Sequence, residues 1–121
     1  MLNFLLVGLG GALGACARYG AGRLIGAGAW PSATLFVNVA GGFLMGLLAG
    51  WLAARGGNEG ARLFLGVGVL GGFTTFSAFS LEVALLIERG ALGMAFLYAA
   101  LSAILCVAAL FLGLWLMRTL A

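Results

Sequence analysis

The chain has no histidine, no aspartate and no lysine, and charged residues make up only 7% of its 121 positions. Without histidine and aspartate, most routes to hydrolytic or metal-assisted chemistry are closed. No nucleophile–base pair can be assembled either, so the chain is not expected to be an enzyme. Six arginines against three glutamates leave a net charge of +3, too few cations for a nucleic-acid surface. The two cysteines, Cys16 and Cys106, fall in separate apolar stretches. No spacing points to a side-chain metal site or a disulfide framework. Met1 to Gly14 carries no basic region and no cleavage pattern, so a signal peptide is not expected.

What is abundant names the solvent. Hydrophobic residues reach 64% and the mean hydropathy is +1.23, whereas a soluble globule is about a quarter charged. A helix needs about 20 apolar residues to cross a bilayer, so this length allows four crossings and little else. The reading is one membrane domain over 1–121, all-α, with segments at about 2–25, 32–54, 61–87 and 91–117. Between the first two, Gly26 to Pro31 forms a turn, with Pro31 suited to the first turn of the next helix and Trp30 to an interfacial anchor. Arg55 to Gly60 is a polar loop, and Glu88-Arg89-Gly90 the tightest turn. Loops this short make neighbouring helices antiparallel.

The third segment contains Gly71-Gly-Phe-Thr-Thr-Phe-Ser-Ala-Phe-Ser80. Glycine costs about 1 kcal/mol against alanine in a helix interior, and Ser/Thr side chains compete for backbone hydrogen bonds. A mid-membrane break near 71–75 is expected. Such irregular backbone is tolerated only against protein or a water-filled cavity, and transporters place ions there.

Glycine spacing elsewhere points to packing. Gly42, Gly46 and Gly50 fall on one face of the second segment, and Gly10 and Gly14 repeat the spacing in the first. Arginines at segment ends divide three against three: Arg55, Arg62 and Arg118 on one side, Arg18, Arg23 and Arg89 on the other. The positive-inside bias therefore selects no orientation. Either something else sets it, or the chain inserts both ways and pairs with its inverted copy. The count leaves both open.

Polar side chains inside the apolar segments are few. Thr34 and Asn38 share a helix face; the Asn38 amide either bonds a neighbouring helix or donates to a passing anion. Tyr98, Ser102 and Cys106 recur every four residues as a polar stripe. Phe76 and Phe79 follow the break and project to one side. They either pack in the core or offer positive ring edges to a small anion. Weak binding of that kind suits conduction. Glu82 is open to proton coupling or to a hydrogen-bonded structural role.

Three stretches carry a resemblance over essentially the whole chain: Gly10-Gly-Ala-Leu-Gly-Ala-Cys-Ala-Arg18-Tyr19, Thr34-Leu-Phe-Val-Asn38-Val-Ala-Gly41 and Gly71 through Glu82. In this order the chain resembles the Fluc/CrcB family of fluoride channels. The resemblance implies an antiparallel, dual-topology homodimer of four-helix subunits in the cell inner membrane. Such a dimer exports fluoride passively through two pores to relieve its toxicity. It further implies Asn38 as the pore amide, Phe76 and Phe79 as ring edges facing fluoride, and Tyr98 and Ser102 as a polar track. Cys106 stands where the family continues that track with a hydroxyl. A structural sodium ion on the dimer axis, held by the carbonyls of Gly71 and Thr74 from both copies, is implied as well. Arg18 and Glu82 take structural roles. Two rivals are a small dual-topology multidrug exporter and a non-transporting assembly subunit. The exporter needs a carboxylate in the first helix, and the first acid here is Glu59. The assembly subunit needs neither a break nor a polar stripe.

Overall fold

The computed structural model describes residues 1–26, 28 and 30–120. It is helical throughout. Helix α1 spans Leu2–Ile25 and α2 spans Ser32–Ala54. The third segment is a succession of pieces: α3 (Glu59–Ala61), a π-helical stretch Arg62–Leu70, α4 (Gly71–Phe73) and α5 (Phe76–Glu88). Helix α6 runs Leu92–Leu120, three residues past Met117, because Arg118, Thr119 and Leu120 continue the helical pattern. Four helices, counting Glu59–Glu88 as one, are long and apolar enough to cross a membrane.

Local chemistry sets the ends. Gly56 and Gly57 (φ 77° and 88°) close α2, with the Gly57 amide donating to Leu52 and the Gly56 amide to Ala53. Gly90 (φ 80°) closes α5 in the same way, its amide reaching Ile87 while that of Ala91 reaches Leu86. Asn58 caps α3 by accepting from the Ala61 amide at 2.9 Å. Pro31 lies one residue before α2, in the cap position. Its carbonyl takes the Leu35 amide. The turn read at 26–31 includes Ala27 and Ala29, which lie outside the described residues. Trp30 sets its ring edge-on to Tyr98, centroids 6.0 Å apart.

Small residues govern the packing. A Cβ at Gly46 would meet the Leu110 carbonyl, one at Gly42 the Cys106 carbonyl and one at Gly113 the Phe43 carbonyl. Helices α2 and α6 therefore lie backbone to backbone, as close approach of helices in lipid requires. Gly10 and Gly14 do the same for α1 against Phe64, Gly68 and Val69 of the third segment. Within that segment the Gly71 amide reaches back five residues to Gly66, the widened π pattern. The core is small: Leu86, Ala95 and Tyr98 are buried together, with Leu35, Phe79 and Val83 against them. Phe4, Leu24, Phe96 and Phe111 stand exposed on the outside. So much outward apolar surface fits lipid and not water.

Candidate functional site

The site is built around Thr74 and Thr75. Both are extended (φ −87°, ψ 158° and φ −151°, ψ 122°), and they separate α4 from α5. β-Branched residues accept this backbone readily, and each threonine has a separate task. Thr74 ends the first helix: its amide and hydroxyl both donate to the Leu70 carbonyl, at 3.0 and 2.9 Å. Thr75 starts the second, its hydroxyl accepting from the Ala78 amide at 3.1 Å.

Two side chains from other helices hold the gap. Asn38 on α2 donates through Nδ2 to the Thr75 carbonyl at 3.0 Å and accepts the Thr75 amide at Oδ1 at 2.8 Å. Arg18 on α1 donates through Nε to the Gly72 carbonyl at 3.1 Å. That places a guanidinium at a helix C-terminus, where the dipole favours a cation.

The break also leaves acceptors over. In an unbroken helix the Thr75 amide would serve the Gly71 carbonyl and the Ala78 amide the Thr74 carbonyl. Here those amides go to Asn38 Oδ1 and Thr75 Oγ1. The carbonyls of Gly71 and Thr74 thus lose their helical donors and remain as hard oxygen acceptors, the ligand type a sodium ion takes. Among the described residues there is no cluster of three or more His, Cys, Asp or Glu side chains that could hold a metal ion.

One helical turn from Asn38, the Thr34 hydroxyl donates to Glu82 Oε2 at 2.8 Å, and the Tyr98 hydroxyl donates to Oε1 at 3.0 Å. Both oxygens of the carboxylate are engaged. Tyr98 is wholly buried, with the Phe79 ring 5.2 Å away, and Phe79 lies 5.3 Å from Phe76. Phe76 itself is 78% exposed.

A cleft of about 410 Å³ gathers most of these groups. Asn38, Gly41, Gly42, Met45, Thr74, Thr75, Phe76, Phe79, Ser102 and Cys106 line it. A second cleft of about 640 Å³ is lined by Trp30, Pro31, Glu82, Leu86, Glu88 and Arg89. Tyr98 touches both sets, bonded to Glu82 of one and packed with a tilted ring against Phe79 of the other. Ser102, one turn further along α6, is buried and its hydroxyl has no hydrogen-bond partner. A buried hydroxyl left unpaired is costly, and this one belongs to a residue of the cleft wall.

Of the residues singled out in the sequence, Asn38, Thr74, Phe76, Phe79, Ser102 and Cys106 share this cleft, and Gly71 does not line it. Thr34 and Tyr98 meet instead at Glu82, and Arg18 stands at the break. Sequence reasoning missed Thr75, whose backbone and hydroxyl organise the site. A threonine three residues before the Ala78 amide was the available signal for a helix cap. Gly41 was also missed as a contact of the break.

The sequence model of the family described as CrcB-like protein, Camphor Resistance (CrcB), matches residues 5–114. The chain belongs to that family. Every residue of the 410 Å³ cleft lies inside the matched region. A Fluoride-specific ion channel FluC of Phenylobacterium zucineum (strain HLK1) is 62% identical over 124 residues, covering 98% of this chain and 97% of the relative. The protein of the same name from Novosphingobium aromaticivorans is 59% identical over 120 residues, 95% of either chain. That from Hyphomonas neptunium is 58% identical over 124 residues, 98% of this chain and 97% of the relative. This CrcB protein is therefore a multi-pass membrane protein with near full-length relatives that carry a channel's name.

Proposed function

We propose that this protein is a passive, fluoride-selective channel that lets fluoride leave the cell, and that it works as an antiparallel homodimer with two pores in the plasma membrane. The observation that carries the reading is the cleft at the helix break. An amide, two phenyl rings, an orphan hydroxyl and a thiol share its wall, with no fixed cation among its lining residues. A small anion there meets donors that hold it weakly. A guanidinium in the same place would trap it.

In this reading each residue has a role. Asn38 spends one of its two Nδ2 hydrogens on Thr75, and the second remains for an anion. Phe76 and Phe79, both on the cleft wall, would offer their electropositive ring edges to the ion. Ser102 supplies the next donor and Cys106 a weaker one. Tyr98, which touches Glu82 of one cleft and Phe79 of the other, would stand on the path between them. Glu82, held by two hydroxyls, is a structural group in this scheme.

The same break supports a cation site. The freed carbonyls of Gly71 and Thr74, with their counterparts in a second copy, would hold a sodium ion. A hard cation there neutralises oxygens at helix C-termini and joins the copies. The even arginine division and the exposed Phe76 ring support an inverted partner.

The test is fluoride efflux from sealed liposomes, read by electrode, with chloride in parallel. Fluoride release without chloride release is the expected result. No flux of either ion from folded, dimeric protein would replace this reading with the assembly subunit. Cross-linking of terminal tags from both sides of the membrane tests orientation, and a single fixed orientation would end the dual-topology proposal.

A further inference from the structure

Asn38 and Gly41 lie three residues apart on one face of α2, and both meet the break. Asn38 holds Thr75. Gly41 receives Thr74: a Cβ at Gly41 would collide with the Thr74 γ-methyl and lie 3.5 Å from Phe73 Cδ2. That methyl is not free to swing away. The Thr74 hydroxyl donates to the Leu70 carbonyl at 2.9 Å, which fixes χ1. Rotation would leave the hydroxyl without its bond in apolar surroundings. A side chain at position 41 must therefore move the backbone of the break.

The geometry points to Gly41 as a positioning residue for the ion pathway: its missing side chain seats the Thr74 methyl, and that seat fixes the extended Thr74 peptide. The direction of the Thr74 carbonyl and the placement of Thr75 in the cleft both depend on that peptide. Helix propensity works the other way, since alanine is the better helix former. A loss on Gly41→Ala would therefore come from the collision. The consequence for sodium rests on the cation site proposed above, and the consequence for fluoride does not.

The experiment uses full-length Gly41→Ala, Thr74→Ser and the double variant. Two quantities are read for each: fluoride efflux from liposomes, and melting temperature in detergent with sodium against N-methylglucamine. Thr74→Ser keeps the hydroxyl and carbonyl and removes only the colliding methyl. Gly41→Ala is expected to slow efflux by about tenfold or more, the scale of an overpacking cost, and to abolish the sodium-dependent rise in melting temperature. Thr74→Ser alone supplies the reference rate against which the double variant is read. The double variant should regain efflux to within about threefold of Thr74→Ser, as a contact-specific coupling requires. If Gly41→Ala does not fold, recovery of folded, conducting protein in the double variant supports the same contact.

Wild-type efflux in Gly41→Ala, or a defect that Thr74→Ser leaves unrelieved, overturns the assignment. A wild-type protein that melts alike in both cations removes the sodium reading. The efflux rescue still decides Gly41 and Thr74.

Discussion

The side-chain amide of Asn38 and the backbone of Thr75 exchange two hydrogen bonds, 3.0 Å to the carbonyl and 2.8 Å from the amide. A side chain here takes the place that a neighbouring peptide would have in a sheet. It satisfies the two backbone groups that the broken helix cannot. Removing it should therefore damage both the fold and the path. Asn38→Ala leaves both Thr75 groups unpaired, at about 1–3 kcal/mol each, and efflux should fall with stability. Asn38→Asp keeps the acceptor, loses the donor and adds a negative charge to the cleft wall, so its efflux should fall at least as far. Thermal unfolding alongside liposome efflux checks this. An Asn38→Ala protein that melts like wild type would remove the clamp from the account.

The two phenyl rings differ in setting and should differ in consequence. Phe79 packs between Phe76 and Tyr98, whereas Phe76 is largely exposed. Phe79→Ile should cost about 1–2 kcal/mol, part of what a fully buried ring forfeits on truncation. Phe76→Ile should leave the stability of the subunit nearly unchanged. Fluoride efflux should collapse in both, as the proposed ring-edge roles require. Retained efflux in either variant would take that ring out of the pathway.

The four helices were legible because lipid admits only helices or closed barrels, and continuous apolar runs of about 20 residues are the helical pattern. The glycine spacings were legible as packing faces for the same reason, though not which helix each face would meet. Periodicity put Thr34 and Asn38 on one side of α2, but their partners depend on how α5 and α6 lie. Thr34 meets a carboxylate and Asn38 a peptide. No local pattern in Arg62–Leu70 announces its π-helical winding, which comes with the close approach of Gly68 to Gly10. Ser102 reads as one more hydroxyl in a stripe. Only the packed structure shows it buried and unpaired.

Glu82 receives one hydroxyl on each oxygen, from Thr34 and Tyr98. Thr34→Val or Tyr98→Phe removes one donor and leaves the other, a loss of about 1–3 kcal/mol. The double variant strips the carboxylate of both donors, so its loss should exceed the sum of the single losses. A double-mutant cycle by denaturation measures the coupling. Simple additivity would mean that the two hydroxyls act on Glu82 independently.

Glycine positions on α2 and α6 separate packing from propensity. Gly46→Ala pushes a methyl into the Leu110 carbonyl, while Gly93 has nothing within 4 Å of where its Cβ would stand. The first substitution should cost about 1–3 kcal/mol through overpacking. The second should be neutral or gain up to about 1 kcal/mol from helix propensity. Melting temperatures of the two variants in one detergent decide it. Equal behaviour would deny α2 and α6 their close approach.

Cys106 stands four residues after Ser102 on the wall of the same cleft, half-buried and with a free thiol. A thiol donates weakly, whereas a serine hydroxyl in the same place donates strongly at similar size. An anion leaving Ser102 for Cys106 therefore exchanges a good donor for a poor one. Cys106→Ser should level that step and raise fluoride conductance several-fold, about the effect of 1 kcal/mol on a rate. Cys106→Ala, which removes the donor altogether, should lower it. Chloride should stay excluded in both, because Phe76 and Phe79, the rings proposed to meet the ion, are untouched. Single-channel recording of the three proteins gives the order directly. Equal conductance in all three would place the fluoride path away from this part of α6.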